Sequence, residues 1–129
     1  VLSLALARRL RDAGLTWEPA SGDRFVLLSP EMSDDVFVLS DMVADVHHFP
    51  GGSVIGFNGT VEWALDSVSA EQALWLPTEE QLRERLADSF ARLERADPGY
   101  RVVCEDGAAF EALFADDAYA LALLARLGP

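Results

Sequence analysis

Apolar positions along the chain switch between helical and strand-like spacing. Leu2, Leu6, Leu10 and Ala13 recur at steps of three to four, with Arg8, Arg9, Arg11 and Asp12 facing elsewhere, and Gly14 follows where helices often take a left-handed stop. The spacing predicts an amphipathic helix over residues 2–13. Residues 16–23, with Pro19 and Gly22, read as loop. Residues 25–29 and 36–40 are β-rich runs separated by turn chemistry at 30–35, and are expected to pair as a hairpin. Residues 42–49 alternate as a strand, after which Pro50-Gly51-Gly52 forces a turn.

Asn58-Gly59 sits between the β-rich runs 54–57 and 60–65. This dipeptide tolerates positive φ at both central positions of a type I′ turn, so a second hairpin is expected. A helix from Thr60, using Val61, Leu65 and Val68, is the competing reading. Residues 74–76 suggest one more short strand. Thr78 and Gln81 form a capping-box pattern behind Pro77, and Leu82, Leu86, Phe90 and Leu93 supply a stripe for a helix ending at Asp97-Pro98-Gly99. Residues 100–105 alternate as a strand, with Tyr100, Val102 and Cys104 together. Residues 107–127 read as helical, with a break near Asp116-Asp117 as a variant. Phe110, Leu113, Phe114, Leu121, Leu124 and Leu127 form the apolar face.

The order helix, strands, helix, strand, helix predicts an α+β fold: a single domain over residues 1–129. Its mostly antiparallel sheet has about five to six strands, with N-terminal, post-sheet and C-terminal helices packed on it. Half the 129 residues are apolar and a quarter charged, enough for one core and too apolar for a disordered chain. No apolar run approaches the ~20 residues that span a bilayer, so no membrane association is expected. Arg8, Arg9 and Arg11 follow the apolar opening, the reverse of an export signal, and Cys104 is alone. Both point to a cytoplasmic setting without disulfides or a cysteine metal site. Lysine is absent while Arg occurs ten times, a bias that fits GC-rich coding.

Charge narrows the picture further. Residues 25–82 carry no Lys or Arg, yet hold Glu31, Asp34, Asp35, Asp41, Asp45, Glu62, Asp66, Glu71, Glu79 and Glu80. Such a field repels phosphate backbones and anionic lipid and attracts basic proteins or cations, so nucleic acid is excluded as a partner and a basic protein is favoured.

The densest group of possible metal ligands is Asp41, Asp45, His47 and His48. On a strand, Asp41, Asp45 and His47 share one face, with about 7 Å per two-residue step. Two carboxylates and an imidazole suit a divalent ion if a fourth ligand arrives from elsewhere. The plainer reading, a solvated polar sheet face, is preferred because no HExxH-like spacing is present. His48 alternates with Met42 and Val46 and reads as a partly buried, hydrogen-bonded histidine. Gly51-Gly52 lacks the lysine and following helix of a phosphate loop, and reads as a turn. Ser29, Ser40, Ser53 and Ser67 lie in no nucleophile elbow, and Cys104 reads as a buried thiol. No catalytic residue and no cofactor is therefore assigned. Trp63 and Trp75 alternate with apolar neighbours as core residues do, whereas Trp17 lies in a loop. Trp17, Glu31, Asp34 and Asp35 make up the candidate binding residues.

The run from Gly56 to Val68 (Gly-Phe-Asn-Gly-Thr-Val-Glu-Trp-Ala-Leu-Asp-Ser-Val), with Leu74-Trp75-Leu76-Pro77-Thr78-Glu79-Glu80-Gln81-Leu82, resembles a group of small proteins from GC-rich actinobacteria. Leu10-Arg11-Asp12-Ala13-Gly14-Leu15 and Gly22-Asp23-Arg24-Phe25-Val26 extend the likeness over residues 8–95. A pilus-assembly label is sometimes attached to that group, and it brings no catalytic residues with it. Leu65-Asp66 and Leu74-Trp75-Leu76 are also similar to a pattern in SMI1-type immunity domains, from which the strand and helix after Tyr100 depart. The leading expectation is a non-catalytic acidic binding module. The alternatives are a metal-assisted enzyme built on Asp41, Asp45 and His47, and an immunity-like inhibitor of a basic toxin or nuclease.

Overall fold

The computed structural model describes residues 2–28, 36–39, 44–49, 52–57, 67–69 and 73–128. It is an α+β protein with three helices and three antiparallel three-stranded sheets among those residues. The chain divides into two units: residues 17–75 form one, and the segments before and after them, 1–16 and 76–129, form the other. The single sheet of five to six strands expected from the sequence is thus replaced by three smaller ones.

Helix α1 (Leu4–Asp12) begins at Ser3, whose hydroxyl accepts the Leu6 N–H (3.3 Å). It ends as its sequence predicts. The Leu15 N–H donates to the Leu10 carbonyl (2.9 Å) and the Gly14 N–H to the Arg11 carbonyl (3.0 Å), with Gly14 at φ +108°. Ala7 and Leu10 carry its buried face.

Residues 17–75 contain β1 (Arg24–Leu27), β2 (Val36–Val38), β3 (Ala44–Phe49), β4 (Gly52–Phe57), β5 (Ser67–Ser69) and β6 (Ala73–Trp75). One sheet has the order β2-β1-β6, the other β3-β4-β5, all pairs antiparallel. The first pairing was expected: Phe25 lies opposite Phe37, and Trp75 flanks Phe25 on the other side. Phe25, Leu27, Leu39 and Ala73 form a buried cluster, with Trp17 and Phe37 packed against it. The ladder runs past the strands, since Leu39 donates to the Asp23 carbonyl and accepts from the Gly22 N–H, both at 2.8 Å.

In the second sheet β3 and β4 pair from Ala44–Phe57 to Phe49–Gly52, close to the turn expected at Pro50-Gly51-Gly52. β4 is flanked by β3 on one side and β5 on the other, with Ser67 opposite Gly56. The hairpin expected at Asn58-Gly59, with residues 60–65 as its second strand, lies outside the described residues.

The chain then forms α2 (Glu79–Leu86), whose capping box is complete: Thr78 Oγ1 accepts the Gln81 N–H (3.2 Å) and Gln81 Oε1 accepts the Thr78 N–H (2.9 Å). The helix stops at Leu86, well short of the expected Pro98. Ala87 turns to φ 52°, residues 87–89 make one 3₁₀ turn, and the Ser89 hydroxyl donates to the Leu86 carbonyl (2.6 Å). There follow β7 (Phe90–Arg95), β8 (Tyr100–Cys104) and β9 (Ala109–Ala112) in the order β7-β8-β9.

A β-bulge explains why Phe90 and Leu93 mimic a helical stripe. Phe90 lies opposite Cys104 and Leu93 opposite Val102, with the register shifting between Phe90 and Arg92. Cys104 and Val102 are two apart and share a face, so the extra residue lets a spacing of three do the same on β7. Asp97-Pro98-Gly99 is the β7–β8 loop and not a helix end: Ala96 N–H donates to the Gly99 carbonyl (2.9 Å). Gly99 sits at φ +91°, and a Cβ there would meet the Ala112 carbonyl and lie 2.9 Å from the Leu113 Cα. Only glycine fits this contact between turn and neighbouring strand.

Helix α3 (Ala115–Leu127) is shorter than the expected 107–127, because residues 109–112 pair with β8. Phe110 belongs to β9, opposite Val102, while Leu113 and Phe114 are 64% and 65% exposed and form no helical face. Ala115, Ala118, Tyr119, Ala120, Ala122 and Leu123 are buried instead. That nearly all-round burial arises because α3 contacts α1, α2, β8 and β9. The Ser3 N–H donates to Asp117 (3.0 Å), joining the N-terminal ends of α1 and α3.

Candidate functional site

Charge separates by unit. Residues 17–75 hold ten acids against the one Arg24, a net of −9, whereas the rest hold twelve acids against nine arginines, a net of −3. In the less charged unit, arginines are matched to acids. Arg101 bridges Glu94 and Glu111 (3.1 Å each), Arg92 reaches Glu94 (2.9 Å), and Arg126 reaches Asp106 (3.0 Å). Hydrogen bonds from Arg92 and Arg101 hold the Glu94 carboxyl below the usual carboxylate range. The Ala108 N–H and then Arg126 do the same for Asp106. With one cation for ten acids, the charge of residues 17–75 cannot be balanced by arginines of the same unit.

Of the candidate metal ligands, Asp45 and His47 lie on β3, opposite Gly56 and Val54. Asp41 lies outside the described residues, as do Glu31, Asp34 and Asp35. Among the described residues no three His, Cys, Asp or Glu side chains gather as a metal requires.

Trp17 is placed against the core of its unit. Its indole N–H donates to the Asp23 carboxylate (2.8 Å), its ring stacks parallel to Trp75 (centroids 6.4 Å, 9° between planes), and it tilts against Phe25 at 5.6 Å. Asp23 also accepts the Ala20 N–H (3.0 Å) and is 4% exposed, the one buried charged residue among those described. The sequence reading passed over it, because an Asp beside Gly22 looks like any loop residue. It also missed Arg83, whose guanidinium lies over the Phe90 and Tyr119 rings (5.7 and 5.5 Å) and donates through Nε to the Tyr119 hydroxyl (3.2 Å). No local pattern announces that contact, since Arg83 and Tyr119 are 36 residues apart.

Among the described residues strand β2 pairs with β1 alone. Phe37 turns inward and stacks on Phe25 (5.6 Å), leaving Val36 and Val38 on the other face, 47% and 56% exposed. Opposite Val36 comes Val26 and then Leu74, both buried, so an apolar row runs from the sheet interior to an exposed rim.

Comparison with known proteins returned no match to a family, to a curated protein or to a solved structure. No helix among the described residues is long and apolar enough to cross a membrane.

Proposed function

We propose that the chain is a non-catalytic binding module that engages a basic protein through residues 17–75. The observation that carries this is the charge division: −9 in that unit against −3 in the remainder. Surface acids commonly sit among compensating cations, and here one stretch has lost them. Strong one-sign fields steer oppositely charged partners and repel like ones. An immunity-like inhibitor covering a basic toxin or nuclease is one form of this reading, and so is any assembly protein with a basic partner. The reading treats residues 1–129 as one domain, in a cytoplasm where a lone, buried Cys104 stays reduced.

A second reading has one observation in its favour: Asp45 and His47 lie two residues apart on β3. A metal-assisted site there needs Asp41 and a fourth ligand to join them. The deciding experiment is a pull-down from native cytoplasm at low and high salt, with metal analysis of the purified protein. The binding module predicts basic proteins retained at low salt, released at about 0.5 M salt, and lost with the triple variant Glu31→Gln/Asp34→Asn/Asp35→Asn. One equivalent of tightly bound metal, removed by Asp45→Ala/His47→Ala, replaces that conclusion with the enzyme.

A further inference from the structure

We propose that residues 17–75 open and close as one unit of the domain, with Trp17 and Trp75 as the latch that holds its two ends together. The inference is independent of which partner the unit engages. The chain enters this unit at Trp17 and leaves it at Trp75, while residues 1–16 and 76–129 make up the rest. An insertion has to bring its ends together, and one that does so by its own contacts needs no help from its host to close. Here the entry and exit residues meet directly. Their rings stack with centroids 6.4 Å apart and 9° between planes, inside the range that aromatic pairs favour. Each ring is also held from within the unit: the Asp23 carboxylate accepts the Trp17 indole N–H at 2.8 Å, and Trp75 on β6 lies opposite Phe25 on β1.

Each part also has buried side chains of its own. Phe25, Leu27, Leu39 and Ala73 cluster in the inserted unit, with Trp17 packed against them. In the remainder Leu10, Leu82, Val102, Tyr119 and Leu123 are buried on α1, α2, β8 and α3, and α3 contacts the other three elements. Separate cores let one part open while the other keeps its packing. Charge decides which part opens first. Like charges oppose a compact state, and the inserted unit carries −9 against −3 for the rest. At low salt the acidic unit is therefore the less stable of the two. Release of the tryptophan latch opens it and leaves the helical part folded.

The intact chain supplies a separate reporter for each part. All three tryptophans (Trp17, Trp63 and Trp75) belong to residues 17–75, whereas α1, α2 and α3 lie outside them. Urea unfolding of the full chain is followed by tryptophan emission and by the helical circular dichroism signal at about 50 mM salt, where screening is weak. Emission is expected to change at lower urea than the helical signal. Trp17→Ala is expected to lower the emission midpoint alone. It should also speed amide exchange in β1 and β6 by about tenfold or more, with exchange in α3 unchanged. Leu82→Ala, at a fully buried position of the other part, is expected to lower the helical midpoint alone, and keeps the test decisive if Trp17→Ala does not fold. Either substitution moving both midpoints together overturns the independent unit, and so does loss of the helical signal before the emission changes. Trp17→Ala without effect on the emission midpoint or on β1 and β6 exchange overturns the latch.

Discussion

Asp23 shows how much one side chain organises. Its carboxylate accepts from the Trp17 indole and the Ala20 amide, tying a loop residue to the start of β1 while Trp17 stacks on Trp75. Asp23→Ala removes that acceptor at a buried position and is expected to cost about 1–3 kcal/mol, read as a lower urea midpoint, with a shift in tryptophan emission. Asp23→Asn keeps a carbonyl oxygen and should cost less. Equal loss in both variants shows that the negative charge, and not the hydrogen-bond acceptor, matters. A second residue-scale prediction concerns Ala87, which holds φ 52° without being glycine. Ala87→Gly relieves that strain and is expected to stabilise by about 1 kcal/mol after the entropic cost of glycine. An unchanged or lower midpoint contradicts it. Neither residue was legible in the sequence. A buried acid among 22 carries no local mark, and a strained alanine looks like a helix former.

At the scale of elements, legibility followed how local the determining interactions are. The end of α1 and the start of α2 were read correctly because Gly14 and the Thr78/Gln81 pair act within a turn of the chain. The segments 90–95 and 109–112 were misread as helix because pairing with β8 decides them. The bulge made Phe90 and Leu93 look helical, while Asp106-Gly107, a turn dipeptide of the same kind as Asn58-Gly59, was passed over. Asp106 closes that turn by accepting the Ala108 N–H (3.0 Å) and holds Arg126 on α3. The lowered pKa values of Glu94 and Asp106 give a pH prediction. A carboxyl whose folded pKa is depressed contributes stability above its unfolded pKa and loses it as pH falls through the folded value. Melting temperature should therefore fall on acidification through and below the ordinary carboxylate range. Glu94→Gln/Asp106→Asn should flatten that acid limb and leave the limb above neutrality parallel to wild type. An acid limb unchanged by the double variant assigns the loss to other carboxyls.

For the whole molecule, the acidic bias was legible before any coordinate, but the unit carrying it was not. Counting from 25 to 82 mixes Glu79 and Glu80, which open α2, with the acids of the inserted unit. Reassigned to residues 17–75, the charge includes Glu18 and Asp23 and is set against Arg24 alone. Asp45 and His47 lie on one strand and Trp17 in a loop, as read, but the half-burial of Trp17 by stacking on residues 8 and 58 positions away was not foreseen. Contacts at such separation leave no trace in local spacing. The charge division also gives an expectation for nucleic acid. Binding to a phosphate backbone draws on counterion release by clustered Lys or Arg, and residues 17–75 have one arginine to offer. The other unit already engages Arg92, Arg101 and Arg126 with acids. Duplex DNA and single-stranded RNA are therefore expected to bind no tighter than ~10⁻⁴ M at physiological salt, the weak end of nonspecific association. A mobility-shift titration checks this directly, and submicromolar binding to either polymer disproves it. Such a result redirects attention to Arg8, Arg9 and Arg11 on α1, the densest run of cations in the chain.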